Sequence, residues 1–269
     1  MQIQQLLTNN ELTRLDNRLL ISKVTGFNHA QIIANNDYSL SITQLKEYNQ
    51  LLNRAIKREP IAYILGMKEF YSREYKVTYA TLIPRPETEL LVETVISYAQ
   101  PNTAVLDMGT GSGCIAITCK LERPDLVVHA IDNYADTLAI ARENASALKA
   151  EIVFKQSDWF SNITDKFDII VSNPPYIDAN DHHLQNLPFE PLRALTDFEN
   201  GLSMFSQIIQ QSSKYLKQNG YLIFEHGYNQ AEKIREMLYN YGYTNIQTIK
   251  DYANQDRVTI GQIITAKVD

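Results

Sequence analysis

From residue 86 onward, short apolar runs rich in β-branched residues alternate with helical patterns, and no other feature constrains the fold as strongly. AVLD (104–107), VVHAID (127–132), EIVF (151–154), FDIIVSN (167–173) and YLIFE (221–225) read as strands. Between the first three and around the last two lie helical patterns over 112–122, 134–148, 202–218 and 229–241. Strand and helix in this order predict an α/β, Rossmann-like domain: a mostly parallel sheet with helices on both faces. The closing segments 244–250 and 257–264 are joined by a short loop. They are expected to form a hairpin-like pair that puts an antiparallel strand into the edge of the sheet.

The first part of the chain has a different character. Residues 1–58 read as helices, with Ile3, Leu6 and Leu7, then Leu12, Leu15 and Leu19, at helical spacing and Gly26 as a stop. Ser41 and Gln44 have capping-box spacing ahead of Leu45, Tyr48, Leu52, Ala55 and Ile56, and Pro60 lies just beyond. Tyr71, Arg73, Tyr75, Val77 and Tyr79 alternate with polar residues, which predicts a strand or hairpin whose tyrosines form a packed face. The expected division is a helical domain over 1–68, a hairpin linker over 69–85 and the α/β domain over 86–269. Charge follows it: 10 Lys and Arg against 7 Asp and Glu in residues 1–80, and 15 against 24 in the remainder.

Composition excludes several classes. A net charge of -6 and a pI near 5.4 argue against a protein that grips duplex nucleic acid through its phosphates. Two cysteines, Cys114 and Cys119, rule out a disulfide framework and a cysteine-ligated zinc module, and they suit a reducing compartment such as the cytoplasm. The start MQIQQLLTNNELTR has no basic segment followed by an apolar run, and no apolar stretch approaches the roughly 20 residues of a membrane span. A monomer with no bound metal, no direct nucleic-acid partner and no membrane contact is expected.

Only 10 glycines occur in 269 residues, about 4% where roughly 7% is usual, yet three of them fall between Gly109 and Gly113. The string Asp107-Met108-Gly109-Thr110-Gly111-Ser112-Gly113 follows a strand and opens a helix. In a doubly wound sheet, ligands bind outside the carboxyl ends of the strands, where glycines admit them to the backbone and a helix start offers free N–H groups. A dinucleotide fingerprint would need its third small residue at position 114, which is Cys114. D-x-G-x-G-x-G instead resembles motif I of the class I S-adenosylmethionine-dependent methyltransferases. Asp132 ends the second strand, where a carboxylate can accept from ribose hydroxyls, and Asp158 and Trp159 follow the third, where they could meet an adenine amino group and ring face.

The fourth strand runs directly into Asn173-Pro174-Pro175-Tyr176. These residues suit a planar NH₂ nucleophile. The Asn173 side-chain oxygen and the Pro174 carbonyl can each accept one N–H, the prolines hold that carbonyl out of a ladder, and Tyr176 offers a flat face. Two acceptors can draw a delocalised nitrogen toward a pyramidal geometry, so catalysis would come from positioning and preorganised dipoles. The five histidines form no constellation, and His182 and His183 fall in a polar loop.

Asn-Pro-Pro-Tyr occurs in methyltransferases of exocyclic adenine nitrogens and of glutamine amides. LIPRPETE (82–89), LDMGTGSG (106–113), QSDWF (156–160), VSNPPYID (171–178), FEHG (224–227) and DRVTIG (256–261) resemble the release factor glutamine methyltransferases, the HemK family, over essentially the whole chain. The resemblance implies a class I methyltransferase sheet with one antiparallel edge strand, and a small helical N-terminal domain, joined through a β-hairpin, that docks the protein substrate. It implies methyl transfer from S-adenosyl-L-methionine, leaving S-adenosyl-L-homocysteine, to the glutamine amide nitrogen of the Gly-Gly-Gln motif in class I peptide chain release factors. Asp107, Gly109 to Gly113, Asp132, Asp158, Trp159 and Asn173 would face the cofactor, and Asn173, Pro174, Pro175 and Tyr176 the glutamine. Arg85 to Glu89 resemble a stretch near the family's cofactor site, without an assigned role. The loop from His182 to Pro191 is short against the family pattern. The competing readings are a glutamine methyltransferase of a ribosomal protein, an adenine-N6 nucleic-acid methyltransferase, a nicotinamide or flavin oxidoreductase, and a non-catalytic cofactor-binding adaptor.

Overall fold

Side-chain caps decide where the N-terminal helices begin. The structure, a computed structural model, describes residues 1–264, so the end of the domain expected over 86–269 lies outside the described residues. Five helices come first: α1 (Ile3–Leu7), α2 (Arg14–Thr25), α3 (His29–Ala34), α4 (Ile42–Ile56) and α5 (Ile61–Leu65). The capping box ahead of α4 forms as expected, with Ser41 Oγ accepting from Gln44 N at 3.2 Å and Gln44 Oε1 from Ser41 N at 3.0 Å. Gly26 ends α2 in the left-handed conformation.

The buried stripe of α2 differs from the one expected. Leu15 and Leu19 are exposed, while Asn17, Leu20, Ile21 and Val24 are buried. Both sets have helical spacing. Asn17 can go inside because its Nδ2 donates to the Asn9 carbonyl at 3.0 Å and its Oδ1 accepts from the Tyr48 hydroxyl at 2.8 Å. Around it pack Ile3, Leu6, Ile32, Leu40 and Leu52.

Strands β1 (Met67–Phe70) and β2 (Arg73–Lys76) pair as a hairpin. Its turn is Tyr71-Ser72, both with positive φ (51° and 58°). The expected tyrosine face is therefore not one surface: Tyr71 lies in the turn, Tyr75 is buried and Tyr79 is exposed. The chain divides into two compact units, Met1–Lys68 and Glu69–Asp269.

The second unit contains α6 (Thr88–Tyr98), β3 (Ala104–Met108), α7 (Cys114–Glu122), β4 (Val127–Asp132), α8 (Ala135–Leu148), β5 (Val153–Gln156), β6 (Phe167–Ser172), α9 (Ser203–Ser212), β7 (Leu216–Glu225), α10 (Ala231–Asn240), β8 (Tyr243–Lys250) and β9 (Asp256–Ile263). Among the described residues, seven strands form one sheet in the order β5-β4-β3-β6-β7-β9-β8. Only β9 runs against the direction of the other six strands, entering between β7 and β8, so the closing pair forms that end of the sheet. Alternate residues face opposite sides, as the pleat requires. Val105, Ile169, Val171 and Ile223 pack with α6 and α7, whereas Leu106, Ile170, Leu222 and Phe224 pack with α9 and α10.

Two boundaries move because pairing overrides local pattern. β5 lies two residues later than EIVF, since His129 to Asp132 pair with Val153 to Gln156. The helix expected to reach 218 stops at Ser212 because Phe167 N donates to the Tyr215 carbonyl at 2.8 Å and Leu216 pairs with Phe167. The strand order reverses between β3 and β6, and the crevice beyond their carboxyl ends is where such a sheet binds ligands.

Candidate active site

The glycine loop turns out of β3 by hydrogen bonding to the next strand. Gly109 N and Thr110 N both donate to the Ile131 carbonyl, at 3.0 and 2.9 Å. Gly113 begins α7 with φ 83°, and a Cβ there would stand 2.8 Å from Ile117 Cδ1 and 3.3 Å from Ala141 Cβ. Its left-handed backbone favours glycine, and a side chain there would also crowd Ile117 and Ala141. A Cβ on Gly109 would meet nothing within 4 Å, so the loop presents bare backbone to open space.

Asp107 lies fully buried beneath this loop. Its Oδ2 accepts from Thr110 Oγ1 at 2.6 Å, while its Oδ1 has no hydrogen-bond partner among the described residues. Burial pushes its carboxyl up to about 7, against the lowering effect of the Thr110 hydroxyl and the Ala116 backbone. Asp132 is also buried, at the end of β4. Its oxygens accept from Gly111 N and Tyr134 N, each at 3.1 Å, which ties the glycine loop to the start of α8. Burial raises its pKa, and those two N–H groups and Arg193 oppose the rise.

The shifted β5 brings Ser157 beside Asp132, with Ser157 N donating to the Asp132 carbonyl at 3.0 Å. Ser157 Oγ then donates to the Trp159 carbonyl at 2.6 Å and holds Trp159 in a left-handed turn (φ 46°). Asp158 is exposed and Trp159 half-buried.

A cavity of about 290 Å³ opens among these groups. Gly109, Gly111, Asp132, Asp158, Trp159, Asn173 and Pro175 all line it. The other expected site residues do not: Asp107, Thr110 and Ser112 are buried beneath the loop, Gly113 and Pro174 are packed, and Tyr176 is half-buried against the α9 and α10 side. Burial raises the pKa of the Tyr176 phenol, so its hydroxyl stays protonated and uncharged.

The structure adds residues that sequence reasoning missed. Arg193 lines the cavity, with its guanidinium 3.9 Å from the centre of the Tyr134 ring and 2.8 Å from Asp136 Oδ2. Gln230 Nε2 donates to the carbonyls of Tyr176 and Gly201, each at 2.9 Å, and so fixes the end of the tetrapeptide. A Cβ on Gly201 would lie 2.4 Å from the Tyr176 carbonyl, so only glycine fits. The buried carboxylate of Glu190 pairs with Arg85 and accepts from Ile83 N, anchoring the loop from His182 to Pro191 to the RPETE stretch. His182 in that loop is exposed. None of these partners is close in sequence, and no local signal could have paired them.

A family model described as "Methyltransferase small domain" matches residues 86–249, and one described as "PrmC N-terminal domain" matches residues 1–66. The chain is 40% identical over 268 residues to a release factor glutamine methyltransferase of Haemophilus influenzae, covering 93% of this chain and 92% of that one. It is 42% identical over 262 residues to one of Aliivibrio fischeri, covering 95% and 92%. Among solved structures, a methyltransferase from Pyrococcus furiosus is similar in fold, with a TM-score of 0.58 at 15% identity over 82% of this chain and 99% of that one.

Proposed function

The chain belongs to the release factor glutamine methyltransferase family, and on that premise we propose that it transfers a methyl group from S-adenosyl-L-methionine to the side-chain amide nitrogen (N5) of the glutamine in the Gly-Gly-Gln motif of class I peptide chain release factors. The observation that carries this reading is the meeting of four strand ends: Asn173 and Pro175, after β6, line the same cavity as Gly109 and Gly111 after β3, Asp132 at the end of β4 and Trp159 after β5.

The residues fit the cofactor. The bare backbone at Gly109 would take the methionine part, the Asp132 carboxylate the ribose hydroxyls, and Asp158 and Trp159 the adenine. Bound there, the cofactor supplies an electrophilic methyl group on a sulfonium.

The protein's own part is positioning. Asn173 Oδ1 and the Pro174 carbonyl accept the two N–H groups of the glutamine amide, and Tyr176 covers its plane. Gripping both hydrogens weakens conjugation of the nitrogen lone pair with the carbonyl and aims it at the methyl carbon. No strong base is needed for that step: the S–CH₃ bond breaks as the N–CH₃ bond forms, and the cationic N-methyl amide so produced is acidic enough to release one N–H proton to solvent. Residues 1–68 form the helical domain that docks the release factor, 69–85 the hairpin linker and 86–269 the catalytic domain. The enzyme works as a monomer in the cytoplasm, without nucleic acid or membrane as a partner.

Incubation with methyl-labelled cofactor and a purified release factor tests this, with peptide mapping of the product. Label on the Gly-Gly-Gln glutamine is expected. Label on a ribosomal protein or on adenine bases, and none on that glutamine, would overturn the assignment.

A further inference from the structure

Two stretches with no assigned role, RPETE and FEHG, meet at one side chain of the tetrapeptide. Asn173 Nδ2 donates to Thr88 Oγ1 at 3.3 Å, and Thr88, the first residue of α6, is buried. Glu225, the last residue of β7, is 1% exposed, and the side chains of Thr88 and Asn173 lie near enough to its carboxyl to lower its pKa. The register explains the meeting: Ser172 pairs with Phe224, so Asn173 and Glu225 follow side by side at the ends of neighbouring strands. Glu225 shares the pleat face of Ile223, the side on which α6 packs. Its Oε2 has no hydrogen-bond partner among the described residues, and the proposed methyl transfer does not use it.

An ionised carboxylate only accepts hydrogen bonds, a hydroxyl accepts and donates, and an amide has one end of each kind. With Glu225 ionised, Thr88 can turn its hydroxyl hydrogen toward the carboxylate and keep its lone pairs for an incoming donor. Only the NH₂ end of Asn173 can supply that donor, so its oxygen must point the other way. We propose that Glu225, acting through Thr88 and directly, is the positioning residue that sets the orientation of the Asn173 amide and so presents Oδ1 to the substrate NH₂. The assignment rests on the glutamine-amide reading of the tetrapeptide and deepens it. Asn173 with its ends exchanged would offer a donor to an NH₂ group, and the grip would become a repulsion.

The orientation depends on the charge of Glu225. Burial pushes its carboxyl up to about 7, with Glu87 raising it further and Thr88, Arg257 and Asn173 lowering it. Tyr176 and Cys114 also face it, and both are neutral because burial raises them. A protonated Glu225 can donate to Thr88, and the direction of the chain is then no longer imposed. Turnover should therefore rise with pH through about 7 as Glu225 ionises.

The test compares the wild type with Glu225→Gln, Thr88→Val and Thr88→Ser. Glu225→Gln should lower kcat about 10- to 100-fold, with KM for the release factor and affinity for S-adenosyl-L-homocysteine nearly unchanged. It should also abolish the limb of the kcat–pH profile near 7. Thr88→Val should fall similarly, and Thr88→Ser should restore most of that loss. Cofactor affinity shows that each variant is folded. A second readout needs no activity: the side-chain NH₂ resonances of Asn173 should titrate with a midpoint near 7 in the wild type and stay flat in Glu225→Gln. Flat wild-type resonances, an unchanged kcat in Glu225→Gln, or Thr88→Ser as impaired as Thr88→Val would overturn the assignment. A wild type that titrates as expected but labels no glutamine would leave the positioning role standing and overturn the proposed substrate instead.

Discussion

The side-chain amide of Asn173 donates to the hydroxyl of Thr88 at 3.3 Å, across 85 positions of sequence. The bond joins the end of β6 to the start of α6, so the proposed substrate grip is braced from outside its own loop. Removing that grip separates chemistry from binding. Asn173→Ala should lower kcat by about 100-fold or more, as loss of one preorganised polar partner does, while cofactor affinity changes little. Single-turnover assays and calorimetry with S-adenosyl-L-homocysteine check this; equal losses in both would mean that the role given to Asn173 is wrong.

Asp132 should show the opposite pattern. Asp132→Ala removes an acceptor from the cavity wall and strands the Gly111 and Tyr134 N–H groups. Affinity for S-adenosyl-L-homocysteine should drop about 10- to 100-fold, the equivalent of roughly 1.5–3 kcal/mol for hydrogen bonds to a charged group. A Kd within twofold of wild type would contradict the ribose role.

At Gly113 the effect is on stability. Gly113→Ala forces a Cβ to 2.8 Å from Ile117 Cδ1 at φ 83°. A cost of about 1–3 kcal/mol is expected, lowering Tm by roughly 2–4 °C per kcal/mol in a protein of this size. Thermal unfolding without cofactor measures it, and an unchanged Tm would mean that α7 and α8 yield easily.

Asp107 makes stability depend on pH. Its folded pKa, near 7, lies above the 3.8 of the unfolded chain, so the folded state holds a proton that the unfolded state has released. Its contribution is therefore most favourable below about 4 and is lost progressively as pH rises toward about 7. Asp107→Asn has no such proton, and its Tm should fall less steeply than that of the wild type between about pH 5 and 7. Parallel curves would show that the Asp107 carboxyl titrates normally.

Much of the architecture is legible in periodicity. VVHAID and FDIIVSN carry β-branched runs that read as strands and form them, and Ser41 with Gln44 announces a helix that forms where expected. The order of strand and helix then implies the sheet, and the glycine loop and tetrapeptide lie at strand ends because their neighbours are strands. Where two choices have the same local merit, sequence is silent. Leu15 and Leu19 have helical spacing as good as that of Leu20, Ile21 and Val24, and the Asn17–Tyr48 hydrogen bond decides which stripe goes inside. Residues 151–156 could begin a strand at either end, and pairing with β4 selects Val153 to Gln156.

By itself, then, the sequence determined the residue types that can do the chemistry and the strand ends that carry them, since both follow from short-range pattern. Tertiary structure decided which groups meet: Glu190 with Arg85, Gln230 with Tyr176, and Thr88 with Asn173 beside Glu225. A buried polar group must find a partner wherever the fold provides one, and strand order sets that position, however far apart the two residues stand in the chain.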